Sequence, residues 1–229
     1  MARAWVAALA AGLTLTSGAA GAADTGTMRF AVYHDDTRIG THELRFTRES
    51  PRALDVEIDI DLSVDFAFIN FYTYEHENRT TWRDGRLARM DARTNDDGEA
   101  HRVRARRTEN GKLRVTTKDG TERTLPGDAL PSTYWMRETI ERGRLLNTQK
   151  GTFGEVRTQR MGTTTVPGPG GPIEATGYKM GGDIQARAWY DAQGRWVSLK
   201  FTAEGGTVRY ELTHREGYIP NAVPGRAGS

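Results

Sequence analysis

The stretch Leu54–Phe68, LDVEIDIDLSVDFAF, decides the fold class. Leu54, Val56, Ile58, Ile60, Leu62, Val64, Phe66 and Phe68 take the even positions, while Asp55, Glu57, Asp59, Asp61, Ser63 and Asp65 fall between them. Successive strand residues point to opposite faces, so this period of two specifies a strand with one dry and one wet side. At roughly 3.3 Å per residue it would run near ~50 Å, well beyond a typical strand. Such a length requires a strand that bends with a strongly curved sheet. The alternation breaks at Ile69-Asn70-Phe71, where a bulge or corner is expected.

Turn signals place further strands on either side. Residues 28–33 and 39–48 flank His34-Asp35-Asp36, and 71–81, 87–93, 99–108, 113–117 and 121–125 follow. Asp84-Gly85, Asp97-Gly98, Asn110-Gly111 and Asp119-Gly120 mark the turns between them, because these pairs tolerate positive φ. Later strands are expected over 152–161, 173–179, 184–190, 195–203 and 207–215. The last hairpins turn at Ala192-Gln193-Gly194 and Glu204-Gly205-Gly206. One helix is expected from Ser132, as N-cap, to Arg142, with Gly143 ending it. Gly162–Pro172 reads as a Gly/Pro-rich loop, and residues 219–229 as a flexible tail.

The expectation is therefore a mainly β chain, one domain over residues 24–218, with about eleven to thirteen strands in sequential antiparallel order. Eleven strands at about 4.8 Å spacing make a flat sheet near ~50 Å wide, while one helix is only about 10–12 Å across. The uncovered apolar face predicts a single large curved antiparallel sheet, a half-barrel or barrel, with one short helix. Such a sheet has room for a ligand on its concave side.

Residues 1–23 read as a secretory leader, with Arg3, an apolar run from Ala4 to Leu15, and small residues to Ala23. The run is too short for a membrane span, so no transmembrane anchor is expected after cleavage. A periplasmic location in a Gram-negative bacterium follows as the expectation. The 229 residues include no Cys, which excludes disulfides, thiolate metal sites and Cys nucleophiles. With 32 basic and 30 acidic residues the net charge is +2, which gives no global field toward nucleic acid or an anionic membrane.

Several motifs carry a resemblance. They are Tyr33 with Ile39-Gly40, Tyr72-x-Tyr74-x-His76, Trp82-x-Asp84-Gly85, Thr94-x-Asp96-Asp97-Gly98 and Tyr134-Trp135. Leu146-Asn147-Thr148 with Gly151, and Trp189-Tyr190-Asp191 before Trp196-Val197, complete them. In these, over nearly the whole mature chain, the sequence resembles a proteobacterial family of exported proteins catalogued as a domain of unknown function (number 6134). That resemblance implies no activity. By shape alone the expected architecture is similar to the half-barrels that carry lipoproteins across the periplasm.

The aromatics Phe66, Phe68, Phe71, Tyr72 and Tyr74, with Trp135 and Trp189, are the candidate ligand-binding residues. They would line a greasy pocket for an apolar small molecule or lipid, although filling the core is the commoner work of strand aromatics. The acidic series Asp55, Glu57, Asp59, Asp61 and Asp65 is spaced too widely along its strand to chelate an ion, and reads as a solvated face. Arg102, Arg104 and Arg106 form a basic counterpart on another strand. No metal-ligand spacing joins the five His, and no catalytic motif or cofactor fingerprint is present. Three functions follow in order: a non-enzymatic binder of an apolar or amphipathic ligand on the concave face; an envelope interaction or scaffold protein with a filled core; and a hydrolase using His76 or His214.

Overall fold

The computed structural model describes residues 23–66, 69–203 and 205–225, with no side-chain description at 65, 66 and 69–71. The leader assigned to residues 1–23 lies outside them except for Ala23, as does Phe68. The chain runs through β1 (Asp24–His34), β2 (Thr37–Ser50), β3 (Ala53–Phe66), β4 (Ile69–Arg83), β5 (Arg86–Asp96), β6 (Glu99–Arg107), β7 (Leu113–Thr117) and β8 (Glu122–Leu125). After β9 (Leu130–Pro131) comes the helix α1 (Arg137–Glu141), then β10 (Arg144–Leu146) and β11 (Phe153–Val166). The chain finishes with β12 (Ile173–Gly182), β13 (Ala186–Tyr190), β14 (Trp196–Ala203) and β15 (Gly206–Gly217).

All fifteen strands form one sheet in the order β8 to β1, then β15 to β9. Every neighbouring pair is antiparallel except β9 with β10, which is parallel. The two ends of the chain meet in the middle of the sheet, where β1 pairs with β15 from Gly26↔Gly217 to His34↔Val208. The two free edges, β8 and β9, are consecutive in the chain and joined only by residues 126–129. A flat sheet of fifteen strands would hold its edges about 65–70 Å apart. A four-residue link reaches only about 17 Å. The sheet must therefore curl almost fully around, and β-bulges help it bend. Register shifts occur at Arg29/Phe30, Val32/Tyr33, Arg48/Ser50, Val64/Asp65, Thr81/Trp82, Arg160/Gly162 and Trp189/Tyr190. The result is a barrel open along the seam between β8 and β9.

Two strands were not expected from the sequence. β9 and β10 are two and three residues long, too short to show any alternation. The helix is also shorter than expected. Ser132 does not cap it; α1 begins after Met136, which makes no side-chain cap bond, and Gly143 follows its end with φ +74. The expected first turn is extended instead, because Trp135 and Met136 are drawn into the core, fully buried. Met136 forms an isolated bridge with Arg195, and Tyr134 adopts φ +56. Half of the Gly162–Pro172 loop is strand, since β11 continues to Val166. Nor is residue 219 the start of a loose tail: Val223 is buried, and Gly85 N–H donates to the Pro224 carbonyl at 2.9 Å.

The interior is filled. Trp82, Trp135 and Trp196 are fully buried, with Trp135 set edge-on to Trp82 at 6.1 Å and to Phe46 at 5.6 Å. Phe30 lies 4.1 Å from Trp196. Residues 132–140 thus act as a plug that covers the inner faces of β2 and β4. Close packing also limits the backbone. A Cβ on Gly40 would stand 2.0 Å from the Asp61 carbonyl oxygen. Gly40→Ala should therefore lower unfolding free energy by about 1–3 kcal/mol, and Trp135→Ala, by removing the plug, by about 3–5 kcal/mol. Urea titration followed by tryptophan fluorescence and circular dichroism measures both.

Candidate functional site

Most of the motif residues have evident structural work. Asp84-Gly85 and Asp97-Gly98 each place both residues at positive φ in tight hairpin turns. Asp191, buried, accepts from Arg195 Nε at 2.9 Å and Arg215 Nη1 at 2.7 Å. Tyr190 donates its hydroxyl to the Tyr134 carbonyl at 2.9 Å. Trp82, Trp135 and Trp196 are core. Six residues left over, Tyr72, Tyr74, His76, Thr94, Asp96 and Thr148, come together at one end of the barrel.

The turn between β10 and β11 assembles them. Asn147 Oδ1 accepts from the backbone N–H of Gln149 and Lys150, and Gly151 at φ +68 lies so close to β7 that a Cβ would stand 2.5 Å from Thr117 Cγ2. The turn is thereby folded inward against β4 and β5. Gln149 Nε2 donates to Asp96 Oδ2 at 2.8 Å, Tyr72 donates to Asp96 Oδ1 at 2.7 Å, and Tyr74 donates to Gln149 Oε1 at 3.3 Å. The Tyr74 ring stacks on His76 at 6.2 Å. His76 Nδ1 lies 2.8 Å from Thr94 Oγ1, and its Nε2 lies 3.4 Å from Thr148 Oγ1.

Cross-strand register extends this patch. His42, Ile60, His76, Thr94 and His101 stand opposite one another on β2 to β6, forming one row on the inner face. His42 is buried among Phe30, Trp196 and Tyr210, with ring centroids at 6.1, 5.3 and 5.6 Å. Among the described residues neither of its ring nitrogens has a hydrogen-bond partner, nor has the buried Asn78 amide one row further in. Burial, then the neighbouring His76, pulls the His42 pKa down to about 3; burial pulls His76 down to about 4. Both rings are neutral near pH 7. Burial pushes the Tyr74 phenol up, so it remains a donor. The patch thus offers uncharged donors and acceptors, with its one carboxylate, Asp96, already engaged.

The inner wall is open beside this patch. Pairing of β3 with β2 stops at Gly40↔Leu62 and pairing of β4 with β5 at Tyr74↔Asp96, but β3 and β4 pair with each other out to Phe66↔Ile69. The hairpin overhangs both neighbours. Ile60, Val64 and Tyr74 on its inner side are only partly buried, although packed against the core.

The structure does not gather the sequence-predicted aromatics into one cavity. Tyr72 and Tyr74 belong to the mouth. Phe66 and Phe71 lie in the same hairpin, but their side chains, like all of Phe68, are outside the described residues. Trp135 is in the core. Trp189 stands on the outer face, where a Cβ on its partner Gly177 would meet Trp189 Nε1 at 2.8 Å and the exposed Met161 at 2.9 Å. His76 and His214 are also apart, since His214 is on β15, partly exposed beside Glu216. Sequence inspection missed His42 and Thr148. His42 does follow the inward alternation of Leu44 and Phe46, a usable signal, whereas Thr148 sits in a turn with none.

Three members of the acidic series on β3 pair with arginines of neighbouring strands, not with the Arg102–Arg106 series. Asp59 pairs with Arg45 at 2.6 Å, Glu57 with Arg79 at 3.5 Å and Asp55 with Arg83 at 3.3 Å. Among the described residues no group of three or more His, Cys, Asp or Glu is placed to hold a metal ion.

A family model described as a domain of unknown function, DUF6134, matches residues 30–213. No curated protein matches the chain. A solved structure similar to it is the beta-barrel-like protein of domain of unknown function DUF1849 from Brucella abortus, at TM-score 0.59 and 12% identity, covering 86% of this chain and 99% of that one. At that identity the likeness concerns the fold.

The two buried histidines make stability acid-sensitive. Their folded pKa values lie below the ordinary 6.5, so between pH 6.5 and about 4 the unfolded chain binds more protons. Stability from this source is full above pH 6.5 and falls as pH drops through that window. The loss should be on the order of 3 kcal/mol per ring by pH 4. Urea unfolding at pH 7 and pH 4.5 should show a markedly flatter dependence in the His42→Leu/His76→Gln variant than in the wild type.

Proposed function

This chain belongs to the family described as domain of unknown function DUF6134, a description that carries no activity, and from its geometry we propose that it is a non-enzymatic binder of an amphipathic ligand. The apolar part of the ligand lies on the inner side of the β3–β4 overhang, against Ile60, Leu62 and Val64. Its uncharged polar group meets Tyr72, Tyr74 and Gln149 at the mouth. The observation that carries this is the overhang itself: β3 and β4 pair with each other past their last β2 and β5 partners, so that inward, partly buried Val64 has no β2 residue beside it. Beneath it, neutral His76 and His42 favour a hydroxyl or carbonyl over an ion, because a charged group there would be desolvated without a counter-charge. The leader pattern at residues 1–23 supports a site of action in the periplasm.

A lipid-sized cavity through the barrel is not part of the proposal, since the plug occupies the middle. The filled core favours a second reading, a scaffold that engages an envelope partner through the free edges β8 and β9. Organic extraction of the purified protein followed by mass spectrometry, with titration by the neutral probe N-phenyl-1-naphthylamine, separates the two. A binder yields co-extracted amphiphile and saturable probe fluorescence that falls at least about tenfold in affinity in Ile60→Asp/Val64→Asp, a change of about 1.4 kcal/mol or more. An empty extract with no saturable fluorescence leaves the scaffold.

A further inference from the structure

The outer wall carries its charge unevenly. Over β1 to β4 most arginines have partners: Arg29 and Arg45 share Glu43, Arg45 also reaches Asp59, and Arg83 reaches Asp55 and Glu49. From β5 to β7 the carboxylates run out. Asp91 alone serves Arg102 at 2.8 Å, Arg104 at 3.5 Å and Arg93 at 4.0 Å. In the next row Arg89 stands directly opposite Arg106, and Arg106 directly opposite Arg114. All three are exposed, and none has a carboxylate within ion-pair distance among the described residues. Like charges placed opposite one another on a sheet are destabilising. A surface depression of about 330 Å³ adjoins the row, lined by Glu77, Arg79, Thr81, Arg89, Asp91 and Arg93.

We propose that the Arg89–Arg106–Arg114 row binds the phosphate headgroups of an anionic lipid surface. Guanidinium groups match phosphate oxygens as paired donors. Three strands in succession spread them over about 10 Å of an exposed outer wall, more than one phosphate covers, so an array of phosphates suits them. The outward positions of these strands carry no aromatic side chain on which unstacked bases could lie, which disfavours a single-stranded nucleic acid. The overall charge of +2 hides this patch, because the acidic residues are concentrated elsewhere on the barrel. The row is on the outer wall, so it is independent of the mouth.

The test is sedimentation of the purified chain with phosphatidylcholine vesicles, with and without about one third phosphatidylglycerol. Arg89→Gln/Arg106→Gln/Arg114→Gln should lose roughly 100-fold in affinity for the anionic vesicles. Arg157→Gln/Arg160→Gln/Arg187→Gln, the same charge change at exposed positions on β11 and β13, should lose less than about threefold. Binding should vanish in high salt. The row variant should melt no lower than wild type, which shows that it folds. Equal losses in the two variants, equal binding to uncharged vesicles, tighter binding to duplex or single-stranded DNA, or displacement by millimolar inorganic phosphate would each overturn the proposal.

Discussion

The short link between β8 and β9 governs the whole molecule. It holds the two edges of a fifteen-stranded sheet within a few residues of each other, so the sheet has no flat alternative. Curling gives every strand one inward face, and the long alternation on β2, β3 and β4 is the sequence record of that face. Closure is not completed by hydrogen bonds. The chain leaves β8, forms β9 at the other edge, fills the barrel with residues 132–140, and returns to the wall through β10.

This filling divides the interior in two. Trp135, Met136 and Ile140 close the middle against Trp82 and Phe46, where burial of apolar surface is the dominant stabilising term. The following turn, Asn147–Gly151, packs against the opposite end of β4 to β7 and brings polar groups instead. There the wall carries His42, His76, Asn78 and Thr94 in place of aliphatic residues. Buried polar atoms without partners are costly. At this end His42 and Asn78 are left without partners among the described residues, close to an overhanging, partly exposed hairpin.

The outward residues obey a different rule. Their charges face water, and local pairing decides how they combine. On β3 the carboxylates alternate with the core residues, and Asp55, Glu57 and Asp59 meet arginines of β2 and β4, so much of the acidic face is offset by its neighbours. On β5 to β7 the same arrangement puts arginine opposite arginine. A nearly neutral composition therefore coexists with a local basic row, since net charge is a sum and a patch depends on register.

Strict alternation from Leu54 onward, the Asp-Gly and Asn-Gly turns, and more apolar strand surface than one helix covers were sufficient to establish a curved antiparallel sheet from residue identity alone. Those are local signals, set by the two-residue period of a strand and by the φ tolerance of turn residues. The two tiny strands, the shortened helix and the convergence of Tyr72, Tyr74, His76, Thr94, Asp96 and Thr148 were decided by tertiary structure. The first stretch of the expected helix yields to extension because burying Trp135 and Met136 outweighs local helix propensity. Whether Trp189 and Trp135 share a face, and whether one arginine meets a carboxylate or another arginine, depends on bulges and strand register, which pair residues far apart in the chain.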